Sequence, residues 1–346
     1  MLVPVIILFC IVIFGLRIHK ENQYEEYLSF PQTQAIKGIF VITVFFNHFC
    51  SYIQIKDAID LPMLYYYKFF GQLMVAPFLF YSGYGVFESL KKKGPDYVQS
   101  FPKKRILKTL IHFELAVLLF LGLDLLIGIH PSIQNIFFSF AAWKSIGNSN
   151  WFVFAIIMTY LFSYLALTFL KKAKLSKILA GITFLTLCYI IALYFLKPNC
   201  SWWWNTIICY PLGCAYSIYK GTIEQNFSNS KKYFSTVFVF FIFFLLGKLG
   251  VVHSRIFNSQ ICVISFICLV ILLSMKISIR SKILEWFGIQ VFGIYILQRL
   301  PMTFFKYLKL DEKSIYLYFC ACFATVLILN FIFSKLTRKI DNRFFA

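Results

Sequence analysis

Residues 32–49 read QTQAIKGIFVITVFFNHF: a lysine, Lys37, then ten mostly apolar residues, then a histidine, His48. The apolar character carries on to about residue 55, and a helix of that length crosses a hydrocarbon core of about 30 Å. Such runs recur along all 346 residues, of which 60% are apolar and only 14% charged, with a mean hydropathy of +0.75. An ordinary soluble domain is about half apolar and a quarter charged. With 43 Phe and 21 Tyr the chain is too apolar to be disordered, and its long runs do not suit a large soluble enzyme. The alternating ten-residue strands of an outer-membrane barrel are absent. The chain reads as all-α, a polytopic transmembrane helical bundle.

The runs give eleven spans, at roughly 2–16, 37–55, 69–90, 107–128, 151–170, 177–196, 203–220, 233–251, 259–275, 283–300 and 314–334. The second and tenth are the most polar. Of the 34 basic residues, 24 fall in one alternate set of loops; the other ten, Arg299 and Lys306 among them, fall in the opposite set. That split alternates without a break for eleven spans with the N-terminus outside and the C-terminus cytoplasmic. Residues 2–16 lack a preceding basic region and a following cleavage site, so they read as a membrane helix rather than a signal peptide. The chain divides into this helix with its connector, 1–29, and a membrane domain, 30–346. The net charge of +20 sits in short loops, which fits topology and anionic lipid headgroups rather than nucleic acid. The ten cysteines lie mostly in apolar runs without metal-ligand spacing and read as small buried hydrophobes.

Ionisable groups inside a membrane are costly and so point to function. With Lys37 at the cytoplasmic end of its span, His48 lies about 16 Å further along, near mid-membrane. An imidazole there can take a proton from a hydroxyl during acyl transfer, or merely bond a neighbouring helix. The loop KKKGPDYVQSFPKKRILK, 91–108, gathers seven cations. It serves topology or forms a docking surface for a phosphate-bearing ligand, with Arg105 and Lys108 one turn apart on one face. On the next span, Glu114 and Asp124 are acids that could orient His48 or pair with a lysine. Ser82, Gly83 and Gly85 interrupt an aromatic run, where they pack helices or let the backbone open around a ligand. Trp151, after Asn150, and Trp202–Trp204 read as interfacial aromatic belts or as stacking surfaces for an acceptor sugar. Walker, GxGxxG, GxSxG and HExxH patterns are absent.

Together these residues resemble the acyltransferase-3 family of integral membrane acyltransferases. The family has a basic residue, ten intervening residues and His on an early helix, matched here by Lys37 and His48, with lysine where arginine is usual. Its Phe-rich stretch ending in Ser-Gly-aromatic is matched by FLFYSGYG, 78–85, and its paired basic motif by Arg105-Ile-Leu-Lys108. NWFVFAIIMTYLFSY (150–164), WWNTIICYPLGCAYSIYK (203–220) and LEWFGIQVFGIYILQ (284–298) are similar to later family segments. Gln298 stands where the family often has His and is given no proton-transfer role. The resemblance covers most of residues 30–335 and implies a ten-helix core, with 2–16 as an extra leading span.

The resemblance implies O-acyl transfer, usually of acetyl, from cytoplasmic acyl-CoA to a hydroxyl of an extracytoplasmic or lipid-linked cell-surface polysaccharide. It makes His48 the base or transient acyl carrier. Lys37, Arg105 and Lys108 would hold the phosphates, Ser82-Gly83-Tyr84 would line the pantetheine path, and Asn150 and Trp151 would meet the acceptor. Acetyl-CoA is then a donor substrate, and no tightly bound cofactor or metal is expected. A Phe- and Lys-rich composition with few Ala points to an AT-rich bacterial genome, and the expected location is a bacterial cytoplasmic membrane. The alternative reading is a transporter or exporter of a glycan, acid or lipid intermediate; a structural subunit of an envelope complex is a third.

Overall fold

A computed structural model describes residues 1–19, 24–54, 58–171 and 173–345. Lys20, Lys56 and Lys172, which enter the charge split, lie outside the described residues. In chain order the helices are α1 (Leu2–Gly15), α2 (Phe30–Cys50), α3 (Leu61–Phe70), α4 (Ala76–Lys93), α5 (Pro95–Phe101) and α6 (Lys108–Leu126). There follow α7 (Ile133–Phe140), α8 (Trp151–Phe169), α9 (Leu175–Leu196), α10 (Cys209–Phe227), α11 (Ser230–Leu249) and α12 (Arg255–Ser274). The last are α13 (Lys282–Ile289), α14 (Val291–Leu297), α15 (Arg299–Tyr307), α16 (Leu310–Lys313) and α17 (Ile315–Phe344). The fold is nearly all-α. The exception is an antiparallel pair, β1 (Leu16–Ile18) with β2 (Ile277–Ile279), in the register Arg17 opposite Ser278.

Among the described residues seven stretches are helical, long and apolar enough to cross a membrane. They are Ala58–Lys93, Pro95–Leu126, Trp151–Phe169, Leu175–Leu196, Ser230–Leu249, Arg255–Ser274 and Ile315–Phe344. Four of the eleven expected spans fall outside this set for local reasons. α1 has 14 residues, a rise of about 21 Å. α2 and α10 carry too many polar residues. The tenth is broken into α13, α14 and α15, with interruptions at Gln290 and Gln298.

α2 departs from its expected limits. It starts at Phe30 with Pro31 in its first turn, so Lys37 sits two turns inside it and His48 falls in its last turn rather than near its middle. Gln32 explains the earlier start. Its Nε2 donates to the Ile277 carbonyl at 3.2 Å, and its Oε1 accepts from the Ile279 amide at 2.9 Å. The polar first turn is thereby tied to β2, and burial of Gln32, Thr33 and Gln34 becomes affordable.

Two helix pairs are drawn together by reciprocal glycines. A Cβ on Gly38 of α2 would lie 1.9 Å from the Leu284 carbonyl oxygen of α13, and one on Gly288 of α13 would lie 1.9 Å from that of Gln34. Gly83 of α4 and Gly213 of α10 meet the Tyr210 and Phe80 carbonyls in the same way, at 2.1 and 2.0 Å. Small residues bring backbones together where a membrane offers no hydrophobic drive for packing. The space left between these two pairs is where the polar side chains converge.

Candidate functional site

Between α2, α4, α8 and α13 lies a cavity of about 450 Å³. Lys37, Ser82, Arg105, Phe152, Tyr160 and Gly288 are in its wall. Lys37 reaches it because Gly38 lets α13 approach the next position on α2. Arg105 reaches it because the helix from Pro95 to Leu126 changes pitch over Pro102–Leu107, where Lys108 N donates to the Lys103 carbonyl, five residues back. Proline has no amide hydrogen to continue an α ladder, and a π-type turn is a common result at functional positions. Ser82 is bonded at 2.9 Å to the Tyr160 hydroxyl across the cavity wall.

A second cavity, about 500 Å³, shares Arg105 with the first and adds Lys93, Lys104 and Lys108 against a single acid, Asp96. Arg105 and Lys108 therefore line one recess together. Lys108 is not a free cation: its Nζ lies 2.7 Å from Asp341 Oδ2, and His112 Nε2 lies 2.9 Å from Asp341 Oδ1. The C-terminal helix thus competes for the lysine that the sequence offers to a phosphate.

The other expected residues are dispersed. Ser82, Gly83 and Tyr84 are interior to the unbroken helix α4, not a turn. Gly83 is consumed by contact with α10, and Tyr84 faces the Tyr216 ring at 6.4 Å, so of the three only Ser82 lines the cavity. Asn150 is buried and donates to the Ala142 carbonyl at 3.0 Å, holding a loop in which Ala142 has a φ of 55°. Its amide is spent on the chain itself. Trp151 packs beside Phe152, 5.8 Å between rings, and against apolar side chains rather than in either cavity. Trp203 and Trp204 are buried too, with Lys197 Nζ 3.6 Å from the Trp203 ring and 4.0 Å from Trp143. Burial holds the Lys197 pKa below its ordinary value.

His48 stands at the far end of α2 from the basic cavities. Its Nδ1 is buried without a hydrogen-bond partner, and neither Glu114 nor Asp124 is bonded to it there. Asp124 is buried in the last turn of α6, and Glu114 is half-buried on the same helix. The groups actually near the imidazole come from the broken tenth segment. The Tyr295 ring is 6.1 Å away, and Arg299 is close enough for its charge to act on it. Tyr295 in turn packs on Phe152 at 5.2 Å, so two rings stand between the first cavity and His48. Tyr295, Arg299 and Gln298 were missed as a site by sequence reasoning. The signal was present: Arg299 follows an apolar run directly, yet counts as an ordinary loop cation in the charge split.

The class defined by this arrangement is a multi-pass helical membrane protein with cationic cavities toward one end of a helix and, at the other, a histidine whose buried Nδ1 has no partner. The profile of the acyltransferase-3 family, described as an acyltransferase domain, matches residues 32–333. The chain belongs to that family of membrane acyltransferases. Neither the curated proteins nor the solved structures contain a significant match to it.

Proposed function

We propose that the protein transfers an acyl group, acetyl in the first instance, from cytoplasmic acyl-CoA to a hydroxyl of an extracytoplasmic or lipid-linked cell-surface polysaccharide. The observation that carries the reading is the spacing along α2. The lysine of a cationic cavity and the only histidine of that helix lie eleven residues apart, about 16 Å of rise. An anionic donor held at one end can extend its pantetheine arm toward the other.

In this reading the topology is the eleven-span one, N-terminus outside and C-terminus inside, in a bacterial cytoplasmic membrane. Residues 1–29 form a leading helix and connector ahead of the acyltransferase domain. Lys37 and Arg105 hold the phosphates, with Lys108 joining them when Asp341 releases it. His48 accepts the proton of the acceptor hydroxyl as its oxygen attacks the thioester carbonyl carbon. The carbon–sulfur bond then breaks, and the imidazolium returns the proton to the departing thiolate. In the variant of this scheme His48 carries the acyl group itself. Either route requires the Phe152 and Tyr295 rings to move aside, because the thioester has to pass them.

The interruptions at Gln290 and Gln298 favour a second reading, transport of a glycan, acid or lipid intermediate, since broken helices line substrate paths in transporters. One experiment separates the two. Membranes carrying the wild type or His48→Ala are given labelled acetyl-CoA, and label is followed into extracted surface polysaccharide. Base-labile label from the wild type, absent from the variant, is expected. Equal label from both would remove His48 from the reaction, and no label in either, with acetyl or longer donors, would favour transport.

A further inference from the structure

The end of the molecule at His48 carries more unpartnered polar atoms than structural packing explains. Gln298 is 0% exposed, yet its Oε1 has no hydrogen-bond partner. The same holds for Arg299 Nε and His48 Nδ1, while the Tyr295 hydroxyl beside them interacts with Ser149 and the Phe152 backbone. Buried polar atoms are nearly always paired, and each exception is destabilising unless a ligand satisfies it.

The charge in this cluster has a direction. Arg299, Thr303 and Lys306 are spaced by four and three residues, one face of α15, and all three engage Tyr52 just beyond α2. Arg299 lies 6.0 Å from the Tyr52 ring centre, Thr303 Oγ1 is 3.3 Å from the Tyr52 hydroxyl, and Lys306 Nζ donates to the Tyr52 carbonyl at 2.7 Å. Lys306 is exposed, Thr303 and Arg299 half-buried, and Gln298 and Tyr295 fully buried. A cationic path therefore descends from the surface to the imidazole. Among the described residues no carboxylate pairs with Arg299 or Lys306.

We propose that this path binds the acceptor, and that the acceptor is an anionic sugar whose carboxylate or other anionic group is held by Arg299 while a neighbouring hydroxyl faces His48. The inventory of unpartnered atoms fits that chemistry. A guanidinium takes the anion, and Gln298 Oε1 and His48 accept from sugar hydroxyls. A neutral glycan would leave the half-buried guanidinium without a counter-charge. The proposal deepens the acyl-transfer reading and rests on it for the role of His48.

The test measures binding without donor, so that it does not depend on turnover. Full-length protein in phosphatidylcholine nanodiscs is titrated with galacturonate and glucuronate trisaccharides and with their carboxyl-reduced neutral counterparts. An acidic trisaccharide is expected to bind at least about tenfold tighter than its reduced form, with affinity falling as salt rises. Arg299→Gln should abolish the preference and Arg299→Lys retain part of it, since lysine keeps the charge but not the fork. Lys306→Gln, at an exposed position, should slow association of the acidic sugar and reduce its salt dependence.

Equal binding of acidic and neutral sugars, no binding of any of them, or a preference that survives Arg299→Gln would overturn the proposal. So would displacement of Arg299-dependent binding by phosphatidylglycerol discs, which would assign the path to lipid headgroups. Labelled acetyl-CoA then separates the two layers. Selective, Arg299-dependent binding with no transfer supports the anion site and sinks the acyl-transfer reading; equal transfer to acidic and neutral sugars does the reverse.

Discussion

Alanine at Gly38 or Gly288 should damage the protein far more than the size of a methyl group suggests. At each position the new Cβ would stand 1.9 Å from a carbonyl oxygen of the facing helix, while real Cβ contacts essentially never fall below 3.0 Å. The helices α2 and α13 must therefore part by about 1 Å, because what is struck is backbone and cannot rotate away. Overpacking of this kind costs about 1–3 kcal/mol. Gly85 supplies the control. It lines the same cavity, but nothing lies within 4 Å of its Cβ, so Gly85→Ala should hold or slightly raise the melting temperature. Thermal unfolding of detergent-purified protein, read by size exclusion after heating, ranks the three variants. A second readout is the apparent affinity for acyl-CoA, which should fall in Gly38→Ala because Lys37 moves with its helix. If Gly38→Ala and Gly288→Ala melt with the wild type, the account of how α2 and α13 form the cavity is wrong.

Three other outcomes follow from the same geometry. Lys37→Gln and Arg105→Gln should each raise KM for acyl-CoA by about tenfold or more with a smaller change in kcat, since each loses one charge-assisted contact to a phosphate; steady-state kinetics over a range of donor concentrations would expose an unchanged KM. Ser82→Ala strips the Tyr160 hydroxyl of its partner at 2.9 Å and should lower stability by about 1 kcal/mol, with Tyr160→Phe combined with it restoring part of the loss. Asp341→Asn weakens the hold of α17 on Lys108 and His112. At this partly exposed site about 1 kcal/mol or less of stability should go, and donor affinity should rise as Lys108 is freed; a drop in affinity would mean that Lys108 is only structural.

Several of these positions could be read in the linear chain and several could not. Lys37, His48 and Arg105 stand out because each is a charged or titratable group in or beside an apolar run, and such groups are rare enough to be noticed singly. Gly83, Asn150 and Trp151 stand out by the same kind of local pattern, yet the structure spends them on a helix crossing, a loop and an apolar cluster. A glycine against a neighbouring backbone and a glycine beside a ligand look alike until the partner helix is present. Tyr295 and Arg299 show the opposite failure, since their significance lies in facing His48 across about 250 residues of chain.

The sequence by itself determined that the chain is a nearly all-helical membrane protein, that it belongs among the acyltransferases, and that its polar residues cluster on few segments. Those properties follow from composition, run length and the order of short motifs, which are sums over local residues. Tertiary structure alone decided that α2 begins at Phe30, that Lys108 is held by Asp341, and that Tyr295 packs beside the histidine. Each of these is a pairing between segments distant in the chain, set by which backbones glycine allows to meet and which buried polar atoms find partners.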